Sequence, residues 1–198
     1  MLKETAEGII SRIGTLEAPI FFKNKYAAAF EIGDSKIEIY DENMNVRDEY
    51  VNKALFRANE ICSYFNFDIL IIRLCYSEKD IQLIQNIIGS AAEETFSQIV
   101  LSEDNEEYRR ISLYWRAKKI NLDRLFREII KTDIGGYSIL SSSVFLLDSK
   151  KSCVCHLYDD RAIDIIASSK ETIYPIYKKY ENWLIDREKT DELFMGDE

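Results

Sequence analysis

The chain has 198 residues, 46% of them hydrophobic, with twelve tyrosines, ten phenylalanines and two tryptophans among only seven glycines and two prolines. That length and composition can bury a proper core and exclude a disordered chain. A formal charge of −9 argues against general attraction to nucleic acid or anionic membrane and favours basic partners.

The N-terminus, Met1-Leu2-Lys3-Glu4-Thr5-Ala6-Glu7, is acidic where a secretory signal is basic. No apolar run approaches the ~18–20 residues that span a bilayer. The expectation is a cytoplasmic protein, with Cys62, Cys75, Cys153 and Cys155 as reduced core residues. No internal repeat or linker divides residues 1–198, so one domain is expected.

Strands are predicted at Tyr26–Ile32 and Lys36–Tyr40. A helix follows from Asp48 to Phe65, with Val51, Ala54, Leu55, Ala58, Ile61, Cys62 and Phe65 on one face. A strand at Asp68–Cys75 precedes a helix from Lys79 to Ile88, opened by the capping-box-like Ser77-Glu78-Lys79-Asp80. The acidic run Glu103, Asp104, Asn105, Glu106, Glu107 reads as a solvated loop or as a docking surface for a basic partner.

The strand Ile111–Ala117 places Arg110, Ser112, Tyr114, Arg116 and Lys118 on one face. Basic residues with an interleaved aromatic could stack on single-stranded RNA, but the acidic total favours an ordinary solvent face. A helix through Leu122, Leu125, Phe126, Ile129 and Ile130 is capped by Asn121 and stopped by Gly135-Gly136.

Three strands, Val144–Leu147, Ser152–Tyr158 and Ile163–Ala167, are joined by short polar turns and should form an antiparallel meander. A last helix from Thr172 to Leu184 would carry Pro175 in its first turn. Strands and helices in this mixture, with hairpins, give an α+β fold: an antiparallel sheet packed against several helices.

The densest group of ionisable side chains is the turn Tyr158-Asp159-Asp160-Arg161. Asp159 through Ala162 fit a type I turn followed by a left-handed residue, which sets Leu157 opposite Ile165 and Tyr158 opposite Asp164. Asp160 and Arg161 would project from the tip as recognition residues. Read as chemistry, Asp159, Asp160 and Asp164 could form a carboxylate cluster for a divalent ion, although Arg161 competes. His156 is expected to be structural. Cys153 and Cys155 share a strand face but lack the second ligand pair of a zinc site. No phosphate loop, nucleophile elbow or zinc-protease motif occurs. Neither cofactor, metal nor catalytic residue is therefore expected.

The stretch Cys155–Ala167, followed by Tyr174-Pro175-Ile176-Tyr177 and Trp183-Leu184-Ile185, resembles a bacterial family described as domain of unknown function 3885. The likeness runs from about Val144 to Phe194, with weaker echoes at Phe30-Glu31-Ile32-Gly33 and Arg57-Ala58. It implies a bacterial intracellular protein with no assigned activity. It also implies glycine where this chain has Ala162, and arginine where it has Ala29.

The functional expectation is a non-catalytic protein that binds another macromolecule, in the form of an acidic immunity protein neutralising a basic toxin. The expected binding residues are Tyr158, Asp159, Asp160, Arg161, Asp164, Glu103, Asp104, Glu106 and Glu107. The alternatives are a small metal-assisted enzyme acting on a phosphate-containing substrate through Asp159, Asp160 and Asp164, or a module contacting RNA.

Overall fold

The computed structural model describes residues 1–17, 19–74, 78–101, 107–141 and 143–195. Seven strands form one sheet: β1 (Ala27–Glu31), β2 (Ile69–Leu74), β3 (Glu94–Leu101), β4 (Glu107–Arg116), β5 (Val144–Asp148), β6 (Cys153–Leu157) and β7 (Ala162–Ala167). Their spatial order is β1-β7-β6-β5-β2-β4-β3, and every neighbouring pair is antiparallel. The meander β5-β6-β7 lies near the middle. Its strands and β2 are apolar at nearly every position because both faces of the sheet are covered.

One face packs against α3 (Asp48–Cys62), α4 (Glu78–Ile88), α5 (Leu122–Ile130) and α6 (Lys170–Lys179). The periodic residues of α3 and α5 point into this layer, and Asn121 caps α5 by accepting from the Arg124 amide at 3.0 Å. The opposite face is covered by α1 (Leu2–Ile13) and the short α2 (Ile20–Lys23), through Ala6, Ile9, Ile13, Ile20 and Phe21. The C-terminal segment crosses the edge of β1: Leu184 bridges to Phe30, and the Ile185 amide donates to the Ala29 carbonyl at 3.0 Å. Beyond it, α7 (Arg187–Met195) reaches the second face, where Lys189 Nζ donates to the Phe21 carbonyl at 2.7 Å.

Several expectations are corrected. Lys36–Tyr40 is not a strand: apart from one bridge between Tyr40 and Val46, the segment is irregular and tied by turns on Asp34 and Asp41. The last helix begins at Lys170 and ends at Lys179, so Pro175 sits in its second turn. The lost backbone bond falls on the Glu171 carbonyl. Glu171 and Pro175 are both exposed, so water can serve that carbonyl. The hairpin register is also shifted by two residues. Leu157 faces Ile163, Cys155 faces Ile165 and His156 faces Asp164. A shift of two preserves the face of every side chain, so the core pattern survives. Ala162 belongs to β7, opposite Glu31, and is not left-handed.

Candidate functional site

On the second face, the sheet row Ala29, Asp164, His156, Phe145 runs across β1, β7, β6 and β5. The helix α1 lies over Ile71 and Tyr114, further along the sheet. Ala29, Asp164 and His156 are left as the floor of a cleft of about 630 Å³, within the range of ligand pockets. One wall is Pro19 to Phe22, the other is Ile185 to Glu188, and Tyr158 lines the same cleft. Two apolar side chains stand out at its rim, Phe22 at 63% and Ile185 at 53% exposure.

Asp164 is the chemical centre of this cleft. Burial pushes its carboxyl up to about 7, opposed by a hydrogen bond from the Phe21 amide and by the charge of Lys189, and reinforced by Asp159. Opposite it, His156 is stacked on Phe145 with centroids 4.7 Å apart and tilted against Tyr158 at 5.2 Å. Burial, then the charges of Asp164 and Asp159, also raise the Tyr158 hydroxyl. Lys189 lies 4.1 Å from the Phe21 centroid and 4.7 Å from that of Phe22, which shows that this wall accepts a cation. Asp186 and Glu188 add two carboxylates to the lining, against Arg187.

The other predicted residues lie elsewhere. Asp159 is buried and forms the turn, with one oxygen accepting from the Arg161 amide at 2.8 Å and the other from the Arg161 guanidinium. Asp160 is not a projecting recognition residue. It is buried and accepts a hydrogen bond from the Tyr50 hydroxyl of α3. Burial, and then that bond, raise the tyrosine. The supposed carboxylate cluster is therefore split three ways, with Asp159 on Arg161, Asp160 on Tyr50 and Asp164 on the opposite face. Among the described residues, no group of three or more histidine, cysteine or acidic side chains is placed to hold a metal ion. Arg161 is exposed and pairs with Asp159 and with Asp133.

Glu103, Asp104 and Glu106 lie outside the described residues. Glu107 is exposed at the start of β4. The basic face of β4 does not exist as a stacking platform: Ser112 and Tyr114 are buried, the latter in the layer under α1. Cys62, Cys153 and Cys155 are free and buried, with the Cys62 and Cys155 sulfurs 3.6 Å apart.

Segments far apart in sequence meet around the hairpin. The Arg161 carbonyl accepts from the amides of Ile32 at 2.9 Å and Gly33 at 3.4 Å. Arg57 of α3 donates to the Gly33 carbonyl, pairs with Asp34 at 3.0 Å and stacks 5.3 Å from the Trp183 ring. Phe30–Gly33, Arg57, Tyr158–Arg161 and Trp183, which carry the family likeness, thus form one structural joint between the sheet, α3 and the C-terminal segment.

This α+β architecture is a seven-stranded antiparallel sheet covered on both faces. The chain belongs to the family described as domain of unknown function (DUF3885), whose model matches residues 3–188. The match takes in the C-terminal segment and the upstream echoes at Phe30–Gly33 and Arg57-Ala58 alike. The chain is also similar to an uncharacterized protein, YnaE, of Bacillus subtilis (strain 168), with 31% identity over 87 residues. That alignment covers 40% of this chain and 41% of YnaE. No solved structure matches. Among the described residues, no helix is long and apolar enough to cross a membrane.

Proposed function

We propose that the protein acts by binding another macromolecule, a basic protein, and that its specific role is that of an immunity protein capturing a cationic toxin. The observation that carries this reading is the cleft on the second face. Exposed Phe22 and Ile185 flank a buried carboxylate, with Asp186 and Glu188 beside it, in a chain of charge −9. A lysine or arginine side chain of the partner fits this chemistry. Its aliphatic stem would pack between the rim residues and its cationic head would meet Asp164. The surrounding negative charge would speed encounter.

The reading has a pH signature. A cation prefers ionised Asp164, whose carboxyl titrates at about 7, so affinity should rise as pH passes from 6 to 8. The test is affinity capture from the native host with the wild-type chain and with Phe22→Glu and Ile185→Glu variants. The expected result is a stoichiometric basic protein lost from both variants, with association slowed by added salt. No captured protein, or one retained equally by both variants, would count against it.

A second reading is favoured by one observation. A carboxyl titrating near neutrality opposite a histidine in a cleft is suited to acid/base catalysis. Turnover of a small substrate that vanishes in Asp164→Asn would select it.

A further inference from the structure

The second face of the sheet carries a positive site that the acidic total hides. Arg73 of β2 faces Ser112 of β4 across the ladder, and Arg110 lies two residues further along β4 on the same face. Both side chains are mostly buried, at 21% and 12% exposure. Glu17, in the connection between α1 and α2, sits over the pair. Its two oxygens accept from Arg110 Nη1 at 2.5 Å and Nη2 at 3.0 Å, and Oε1 lies 3.7 Å from Arg73 Nη1. Arg110 Nη2 also donates to the Tyr108 hydroxyl at 2.7 Å.

Among the described residues the charges do not balance. Two guanidinium groups share a single carboxylate, and among the described residues neither arginine has another acidic partner. Buried Arg73 Nε has no hydrogen-bond partner among the described residues. Mutual repulsion shows on Arg73, which burial and then Arg110 push below its ordinary value, with Glu17 opposing. The rings of Phe145 and Tyr108, 5.8 and 5.7 Å from the two guanidinium groups, offset part of the excess charge, but a buried donor left without an acceptor is costly.

Glu17 is also held where a ligand could displace it. Its carboxylate is half exposed. The connection is anchored not by Glu17 but by Asn24, which accepts from the Thr15 amide at 2.9 Å and donates to the Thr15 and Ile20 carbonyls at 3.0 and 2.7 Å. Gly14 permits this anchor: at φ 125° it is left-handed, and a Cβ there would lie 2.3 Å from Asn24 Oδ1.

We propose that Arg73 and Arg110 form a binding site for a phosphate dianion or phosphomonoester, with Glu17 as the internal carboxylate that the ligand replaces. A dianion neutralises both guanidinium groups where one carboxylate leaves a charge over. Its extra oxygens can accept from donors that Glu17 leaves unused, and planar arginine forks suit phosphate oxygens. The site is separate from the cleft that holds Asp164 and does not depend on what that cleft binds.

The test is isothermal titration calorimetry of the full chain with inorganic phosphate and, separately, with acetate. Replacing the competing carboxylate in Glu17→Gln should tighten phosphate binding at least tenfold over wild type. Acetate should bind Glu17→Gln at least tenfold more weakly than phosphate does. Adding Arg110→Gln to Glu17→Gln should abolish the gain. A thermal melt of each variant with and without phosphate checks the result by a route independent of heat signals, since a ligand that binds only the folded chain raises the melting temperature. No tightening in Glu17→Gln, or a gain that survives Arg110→Gln, overturns the site. Equal affinity for acetate and phosphate overturns the dianion assignment.

Discussion

Asp164 is a carboxyl that the fold holds partly against its own ionisation. In the unfolded chain it titrates near ~3.9; in the folded chain burial raises it to about 7. Between those values the folded state holds more protons than the unfolded one, so stability falls as pH rises from about 4 to 7 and then levels off. At about 1.4 kcal/mol per pH unit, the whole window carries up to about 4 kcal/mol. Asp164→Asn keeps an oxygen for the Phe21 amide and removes the titration. It should match wild type at pH 4 and exceed it in stability at pH 8, as measured by urea denaturation at both pH values. A stability difference independent of pH would show that Asp164 is ordinary. Asp160 is buried on the other side of the hairpin, where one of its oxygens accepts from the Tyr50 hydroxyl. Tyr50→Phe strands that oxygen and should cost roughly 1–3 kcal/mol at neutral pH in the same assay. Gly33 packs against this joint, where a Cβ would meet the Tyr50 hydroxyl at 2.9 Å and the Asp160 carbonyl at 3.0 Å. Little of this was legible in the sequence. Nothing in the string Tyr158-Asp159-Asp160-Arg161 distinguishes an aspartate that points out from one that points in, because the deciding partner is 110 residues away. The setting of His156 is illegible for a related reason: its strand runs between two apolar layers, and the ring that stacks on it, Phe145, belongs to a neighbouring strand.

At the scale of elements, the sequence was readable where a face repeats and unreadable where tertiary cover decides. The periodic helices α3, α4 and α5 and the strands of the meander follow from apolar spacing. The edge strand β3 gives no periodic signal, because Phe96, Ile99 and Leu101 do not alternate cleanly and most of the strand is exposed. The helix α1 carries a detectable signal, Ala6, Ile9 and Ile13 at helical spacing. The alternation of β4 is as the sequence predicts, but the face of Arg110, Ser112 and Tyr114 is covered rather than open to solvent, since α1 packs over Tyr114. Conversely, Ile37 and Ile39 alternate like a strand but find no partner strand to pair with among the described residues. The same limit applies to Pro175, where a helix continued through a residue that normally ends it. Its cost is held down because the orphaned Glu171 carbonyl faces water. Pro175→Ala should still stabilise the protein by about 1–2 kcal/mol, the regained helix geometry outweighing roughly 0.4–1 kcal/mol of added unfolded-chain freedom. Ala162→Gly should do the reverse. It removes a buried methyl from a regular strand and should lose about 1 kcal/mol, which guanidinium denaturation would resolve.

The whole molecule is organised around the crossing of the C-terminal segment from one face of the sheet to the other. The helix α6 belongs to the first layer, Leu184 and Ile185 pair with the open edge of β1, and α7 ties back through Tyr177 to Asp191 at 2.7 Å and Lys189 to Phe21. This strap caps a sheet edge that would otherwise offer unpaired backbone to a second chain. It also builds one wall of the cleft, so the edge protection and the candidate binding surface come from the same residues. The strap packs on the first layer as well, through Leu184 and through Phe194, which stacks on Tyr177 of α6 with centroids 4.4 Å apart. A chain ending at Trp183 should keep the far-ultraviolet circular dichroism of the sheet and of α3 and α5, and should melt at a lower temperature because Tyr177 of α6 loses Phe194 and Asp191. It should self-associate, as multi-angle light scattering across a concentration series would show, because the β1 edge is exposed. It should also lose any partner held by the cleft. A truncated chain that stays monomeric at high concentration would mean that β1 is too short to template pairing and that the strap serves the cleft alone.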